Sequence, residues 1–227
     1  MAPLSDDLKK ISGVVTFLDV LGWKGIYDRH DDAILALSRL VQGLIKEAEK
    51  KRGTITRETE VKSISDTIVI FSYCFEGEIE RAIEIHGQLC QWAIPQSIKS
   101  EIPVRGATAY GEFSIQGNIF VGKAIDEAAA WHEQADWMGV HLTPSAEFVF
   151  KGVSLTSAWH PYVPPLKSKS NYQLHAVNWK NSWTEDAGES IETLKTRFRK
   201  FGPISPEISG KFFNTLDFYK KLSKNDV

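Results

Sequence analysis

The chain has 227 residues, of which 42% are hydrophobic and 25% are charged, and its formal net charge at pH 7 is −2. This length and composition fit one soluble globular domain, with room for a small appendage. The balanced charge disfavours a nucleic-acid-binding scaffold. No apolar run approaches the roughly 18 residues of a membrane span.

The first ten residues and the cysteine content indicate the cytoplasm. Residues 1–10 lack the basic-then-apolar layout of a signal peptide. Cys74 and Cys90 are too few for a disulfide framework and do not have a metal-binding spacing. We therefore expect a cytoplasmic protein with two free, buried thiols.

Strand and helix patterns alternate through the first half of the chain. Ile11 to Val20 is almost entirely apolar, which predicts a central strand buried on both faces. The elements that follow are a helix over about residues 31–52, a hairpin of strands 54–64 and 67–73 that turns at Ser65-Asp66, a helix over 77–98 and a strand over 104–113.

The second half of the chain predicts shorter elements. They are a helix over residues 124–131, a strand over 137–143, a helix over 144–150, a strand over 172–179 and two tail helices over 189–201 and 206–222. This order predicts an α+β fold with a ferredoxin-like βαββαβ core sheet and helices on one face. We divide the chain into a main domain, residues 1–180, and a C-terminal helical extension, residues 181–227.

Two carboxylates interrupt buried strands. Asp19 ends the first apolar run, and Asp66 lies between two short apolar runs. A buried carboxylate is costly unless it is compensated, and two of them brought together repel each other unless a divalent cation lies between them. The economical explanation is a Mg²⁺ or Mn²⁺ site for nucleotide phosphates. The alternative is that each Asp caps a turn.

Five segments, in order, resemble motifs of the class III nucleotidyl cyclases. Residues 17–23 (FLDVLGW) are similar to the family's first-strand motif, and residues 62–66 (KSISD) to its hairpin motif. Residues 105–111 (RGATAYG), 122–130 (GKAIDEAAA) and 167–170 (KSKS) are similar to its later strand, helix and lysine-rich motifs. The resemblance implies that the main domain is a class III nucleotidyl cyclase catalytic domain.

The resemblance also implies a two-metal site at the interface of a homodimer. Asp19, Asp66 and the backbone carbonyl of Val20 would bind two Mn²⁺ or Mg²⁺ ions in each site. One protomer would supply this half of the site, and its partner would supply the groups that contact the base and the transition state.

Three residues of the first motif are candidate substrate contacts. Backbone N–H groups at and after Gly22 would cradle the β- and γ-phosphates of a ribonucleoside triphosphate. Phe17 and Trp23 flank the metal-binding carboxylate in the same motif. Trp23 has the alternative role of an anchor in the core or at the dimer interface.

The base-reading positions depart from the purine-specific patterns of the family. The lysine position holds Lys62, and the second position holds Ile119, which cannot accept a hydrogen bond from an exocyclic amino group. Because Lys62 offers donors only, the pair favours uracil, with UTP ahead of CTP. The alternative for Lys62 is a solvated strand lysine.

The transition-state positions depart from the family as well. Asp126 stands where the family has asparagine, and Ala130 where it has arginine. We assign catalytic roles to Asp126, Arg105 and Lys169. The alternatives are a helix cap for Asp126, a structural ion pair for Arg105 and simple solvation for Lys169. Further candidate cations are Lys123, Lys167 and His132.

This set of substitutions resembles the bacterial pyrimidine cyclases of the Pycsar anti-phage systems. The resemblance implies a cyclic UMP product, or less favourably cyclic CMP, that acts on a separate effector with a cyclic-nucleotide-binding domain. Two other functions stay open. One is an adenylate or guanylate cyclase with an altered base pocket, and the other is a degenerate cyclase fold that binds a nucleotide or a partner without turnover.

Overall fold

One mixed sheet with helices on both faces makes up most of the structure, a computed structural model that describes residues 11–28, 30–152, 157–185 and 190–224. The strands are β1 (Ile11–Val20), β2 (Thr59–Ile64), β3 (Thr67–Tyr73), β4 (Val104–Gln116), β5 (Ile119–Val121), β6 (Val140–Leu142), β7 (Trp159–Tyr162) and β8 (Leu174–Val177). The helices are α1 (Ala33–Glu49), α2 (Ile79–Lys99), α3 (Lys123–Gln134), α4 (Pro144–Glu147), α5 (Lys180–Glu185), α6 (Ile191–Arg199) and α7 (Pro206–Lys224).

Strand β1 lies in the interior of the sheet. The strand order is β2-β3-β1-β4-β6-β8-β7, and β5 pairs with β4 outside this path. Neighbouring strands are antiparallel except β4 and β6, which are parallel. A run as apolar as β1 is stable in this position because both of its faces are covered.

The two faces of the sheet bury different helices. Successive residues of a strand point to opposite faces. Val14 and Leu18 belong to the core that includes α1 and α2, whereas Val15 packs in a second cluster with Ala124 of α3. The predicted α+β fold is confirmed, with the difference that α3 covers the face opposite α1 and α2. By the same alternation Asp19 lies on the α3 side.

Several predicted boundaries differ from the structure. Strand β2 begins only at Thr59, because residues 54–57 form bends and residue 58 has no regular structure. Strands β6 and β8 are shorter than predicted, and strands β5 and β7 and helix α5 were not predicted. Strand β5 is three residues long, and β7 contains Pro161, which cannot donate to a strand ladder. Residues 1–10 and the predicted helix start at residue 189 lie outside the described residues.

The C-terminal helices share the core of the sheet. Trp183 of α5 is fully buried in this core. The ring of Phe218 in α7 packs edge-on against Trp137, with 4.5 Å between ring centroids. Phe198 of α6 packs against Phe212 of α7 at 5.1 Å. These contacts fix α6 and α7 against the segment that leads into β6.

Both cysteines are free and buried, as predicted. Burial raises the pKa of the Cys74 thiol to about 11 and also raises the pKa of Cys90. Among the described helices, none combines the length and the apolar character that a membrane crossing requires.

Candidate functional site

The hairpin of β2 and β3 brings the two predicted metal ligands to the same strand ends. Asp19 pairs across the sheet with Thr67, which directly follows Asp66. The backbone N–H of Val20 donates to the carbonyl oxygen of Asp66 at 3.2 Å. This two-residue turn is tight enough to place Ser65 at a positive φ of 55°. The backbones of Asp19 and Asp66 therefore lie at the same strand ends, and a metal site shared by their carboxylates stays a prediction.

Arg105 holds the carboxylate of Asp19 in place. Its Nε and Nη2 each lie 3.2 Å from Oδ2 of Asp19. Its Nη1 donates to the carbonyl oxygens of Glu133 and Ala135 at the end of α3, at 3.0 and 3.1 Å. The two side chains are only 12% and 18% exposed. Arg105 thus links the end of α3 to the end of β1.

The carboxylate of Asp66 has different surroundings. It is half-buried, and it has no hydrogen-bond or ion-pair partner within the described ranges. Across those same ranges, no group of three or more His, Cys, Asp and Glu side chains is arranged to hold a metal ion. A metal at this place would have two side-chain ligands, Asp19 and Asp66, and would take further oxygen ligands from the backbone, the substrate and water.

A cavity of about 460 Å³ opens beside Asp19. The residues that line it are Asp19, Leu21, Gly22, Lys24, Pro103, Arg105, Met138, Lys167, Phe201, Pro203, Ile208, Lys211 and Phe212. They come from the end of β1 and the turn after it, the start of β4, the segment before β6, the loop before β8, helix α7 and the connection between α6 and α7. Gly22 has a φ of 74°, a value that favours glycine at this turn.

Positive charge dominates the lining of the cavity. It contains four cations, Lys24, Arg105, Lys167 and Lys211, and one carboxylate, Asp19. The pKa of Lys167 is lowered, chiefly because partial burial disfavours the ammonium and further because Arg105 and Lys211 are close. An anion bound among these side chains would relieve their mutual repulsion.

The two base-reading candidates meet at the β4–β5 hairpin. Nζ of Lys62 donates to the carbonyl oxygen of Gly117 at 2.8 Å and lies over the ring of Phe71, 5.5 Å from its centroid. Ile119, two residues after Gly117, is 68% exposed. A base that reached this hairpin would encounter the donors of Lys62 and the apolar surface of Ile119.

Helix α3 presents Asp126 to solvent. Its N-cap is Gly122, and the backbone N–H of Asp126 donates to the carbonyl of Gly122 at 3.0 Å. Asp126 is exposed in the first turn, so it does not cap the helix. Ala130 is also exposed, whereas His132 is buried and stacks on Phe17 at 5.8 Å. His132 therefore packs on this face, and its role as a candidate cation stays a prediction.

No protein-family model matches the chain, and no curated protein matches it. Solved structures do match. The catalytic core of a rhodopsin-guanylyl cyclase with converted specificity, in complex with ATPαS, aligns with a TM-score of 0.50 at 18% identity, over 74% of this chain and 95% of that chain. A bacterial light-regulated adenylyl cyclase also gives a TM-score of 0.50, at 10% identity, over 85% of this chain and 58% of that chain. The chain has the class III nucleotidyl cyclase fold.

Within this cyclase fold, the structure brings only part of the predicted site together. Asp19, Gly22 and Arg105 line the cavity, with Val20 and Asp66 joined to them through the backbone. The other candidates lie apart from the cavity lining: Lys62 and Ile119 at the hairpin, Asp126 on α3, Phe17 under α3, Trp23 partly buried against the core, and Lys169 exposed in a turn at a φ of 57°. Their assigned roles stay predictions.

Two cavity cations were missed in the sequence. Lys24 follows the first motif, and Lys211 lies in the C-terminal helix α7. Neither belongs to a motif, and isolated lysines are mostly solvated surface residues. Only the packing of α6 and α7 against the sheet shows that Lys211 reaches the same cavity as Asp19.

Proposed function

We propose that this protein is a nucleotidyl cyclase that converts UTP, and less readily CTP, to the 3′,5′-cyclic monophosphate and pyrophosphate. The observation that carries the proposal is that Asp19 lines a cavity with four cations, while Asp66 is hydrogen-bonded through its backbone to the residue after Asp19. Cations in the cavity suit a triphosphate, and the two carboxylates suit the divalent ions that accompany it.

The residues present fit a Mg²⁺ or Mn²⁺ site. Both ions favour oxygen ligands, and the half-buried carboxylate of Asp66 has no protein partner in the described part of the chain. Asp19, Asp66 and the carbonyl of Val20 would hold two ions. When bound, they would lower the pKa of the ribose 3′-hydroxyl and neutralise phosphate charge.

The reaction forms one P–O bond and breaks another. The ribose 3′-oxygen attacks the α-phosphorus and loses its proton to solvent, while the bond from that phosphorus to the pyrophosphate oxygen breaks. Arg105 orients Asp19, and the cations of the cavity stabilise the charge that develops on the leaving pyrophosphate.

Uracil fits the donors at the β4–β5 hairpin better than cytosine does. While Lys62 keeps its bond to the carbonyl of Gly117, its ammonium still offers two N–H donors. Uracil carries a carbonyl at O4 where cytosine carries an amino group. An amino group left unpaired costs about 1–3 kcal/mol, or roughly ten- to a hundredfold in preference.

A second copy of the chain would complete the site. The cyclic nucleotide product would act on a separate protein. Asp126 is exposed on α3 and is not part of the described cavity lining, which suits a residue that contributes to the partner's site. From the resemblance to the Pycsar cyclases, we propose that the cyclic nucleotide activates a separate effector during anti-phage defence.

A direct test offers each of the four ribonucleoside triphosphates with Mn²⁺ and identifies the products by mass. We expect cyclic UMP in greatest yield and no product from Asp66→Ala. With equal UTP and CTP, a predominance of cyclic CMP would contradict the role of Lys62 but not the cyclase reaction.

The competing function is nucleotide binding without turnover, which Ala130 favours because it leaves α3 without the arginine of the family pattern. Binding of a triphosphate with no cyclic product from any of the four would support this function and reject ours.

A further inference from the structure

Part of the cavity wall comes from the C-terminal helices rather than from the cyclase sheet. Phe201 and Pro203 contribute from the connection between α6 and α7, and Ile208, Lys211 and Phe212 contribute from α7 itself. Most of this wall is apolar. Lys211 is the residue in it that carries a charge.

Helix α7 holds Lys211 at a fixed place. Nδ2 of Asn214 donates to the carbonyl oxygen of Asp136 at 2.8 Å, and the N–H of Met138 donates to Oγ1 of Thr215 at 2.9 Å. Thr215 Oγ1 also donates to the carbonyl oxygen of Lys211 at 2.6 Å. These bonds fasten the helix one turn after Lys211, so this side chain enters the cavity from a rigid support.

The side chain of Lys211 is mostly buried, which is unusual for a lysine. It is 16% exposed, and its Nζ lies 3.5 Å from Oδ1 of Asp136. Asp136 is itself one-third exposed, so this single pair leaves much of the ammonium's hydrogen-bonding capacity for another acceptor. Arg105 and Lys167 line the same cavity. Three cations that line one cavity repel each other, and an anion bound among them offsets this repulsion.

We propose that Lys211 is a phosphate-binding residue, through which α7 holds the di- or triphosphate group of the substrate together with the other cations that line the cavity. The proposal rests on the proposed function in taking that anion to be a nucleoside triphosphate. It assigns the C-terminal helices a part in the site of their own protomer.

The test measures binding of magnesium tripolyphosphate by isothermal titration calorimetry, which requires no turnover. Loss of a charge-assisted hydrogen bond predicts that Lys211→Gln binds about tenfold more weakly than wild type. Lys211→Arg keeps the positive charge and retains most of the affinity. Lys220→Gln is the matched control, since Lys220 is exposed on the same helix, away from the cavity lining, and its replacement leaves binding unchanged.

Three results would overturn the inference: no binding by the wild-type protein, equal binding by wild type and Lys211→Gln, or equal weakening by Lys211→Gln and Lys220→Gln. Circular dichroism and the thermal midpoint of Lys211→Gln show that the variant is folded when it is measured. If tripolyphosphate binding depends on Lys211 but no triphosphate is cyclised, the cyclase proposal fails while the anion site stands.

Discussion

Asp19 and Asp66 differ in what their carboxylates contact. Asp19 is paired with Arg105, whereas Asp66 has no side-chain partner among the residues that the structure describes. In the proposed function both carboxylates bind the metal ions, but of the two only that of Asp19 has an ion pair within the described residues. Replacing Asp66 therefore tests the effect of a lost carboxylate on activity, whereas replacing Asp19 also removes an ion pair of the folded protein.

We expect Asp66→Ala to abolish cyclisation, by at least about a hundredfold, because one ligand of the ions that stabilise phosphate charge is lost. Its free energy of unfolding should stay within about 0.5 kcal/mol of wild type, since no described hydrogen bond to the side chain is removed. Urea titration and the product assay measure the two quantities.

Asp19→Ala should lose activity and stability together. Removing the carboxylate leaves the part-buried guanidinium of Arg105 without its anionic partner, at a cost of about 1–3 kcal/mol. If Asp19→Ala is as stable as Asp66→Ala, then the ion pair with Arg105 contributes nothing to the fold.

Two buried histidines make the stability of the fold depend on pH. His86 bonds to Oγ1 of Thr16 at 2.8 Å and to Oγ of Ser72 at 3.0 Å. Neither ring nitrogen of His141 has a hydrogen-bond partner in the described structure. Burial lowers the pKa of His86 to about 3 and that of His141 to about 4.

Below the unfolded pKa of about 6.5, the unfolded chain binds protons that the folded chain does not, so stability falls as the pH falls. From pH 7 to pH 5 we expect a loss of about 2 kcal/mol for each histidine. Urea titrations at the two pH values measure it, and His86→Gln should remove about half of the difference. A free energy of unfolding that is constant between pH 5 and 7 would contradict the neutral, buried state of both rings.

At the scale of elements, helix α3 depends on the glycine that begins it. Gly122 has a φ of 137°, and a Cβ there would lie 2.5 Å from the carbonyl oxygen of Glu112 and from Cα of Phe113. Both of these atoms belong to the backbone of β4 and cannot move aside. The close approach of α3 to β4 is therefore possible only without a side chain at residue 122.

Gly122→Ala should lower the free energy of unfolding by about 3 kcal/mol, from backbone strain together with this clash. Gly53→Ala is the control, because Gly53 also has a positive φ, 76°, but has open space around it. It should lose about 1 kcal/mol. Equal losses in the two variants would show that the clash has no effect.

The sequence predicts those elements whose signals are local. Strand β1 is predicted at its observed ends because its apolar run is continuous, and the hairpin at Ser65-Asp66 follows from two β-rich runs with no room for a longer turn. That hairpin is why the neighbouring positions of Asp19 and Asp66 could be inferred. Strand β5 has no such signal, since it is three residues long and is defined by its pairing with β4.

The cavity could not be predicted in the same way. Its cations come from distant parts of the chain, and the position of Lys211 depends on how α7 packs against residues 136–138. The sequence left two roles open for Arg105, a catalytic role and a structural ion pair. The structure shows the ion pair with Asp19, and the catalytic role stays a prediction.

At the scale of the whole molecule, the proposed site is shared between two copies of the chain. Asp66→Ala and Asp126→Ala should each be inactive alone and should recover activity when mixed. With equal amounts, about a quarter of wild-type activity per protomer is expected, because half of the dimers are mixed and each of these has one intact site of two.

The mixing experiment measures cyclic UMP after the two variants are unfolded and refolded together. Wild-type protein carried through the same procedure sets the reference rate. No recovery on mixing, or full activity from a demonstrated monomer, would reject the shared site.

The cavity joins the beginning of the described chain to its end. Its floor is formed where β1 ends, and part of its wall is formed by residues of α7, with strands β2 to β8 synthesised in between. During translation Asp19 and Asp66 are therefore present long before Lys211 leaves the ribosome. A nascent chain that has completed β8 has its sheet strands but lacks one wall of the pocket, so the proposed polyphosphate site is complete only after α7 has been synthesised.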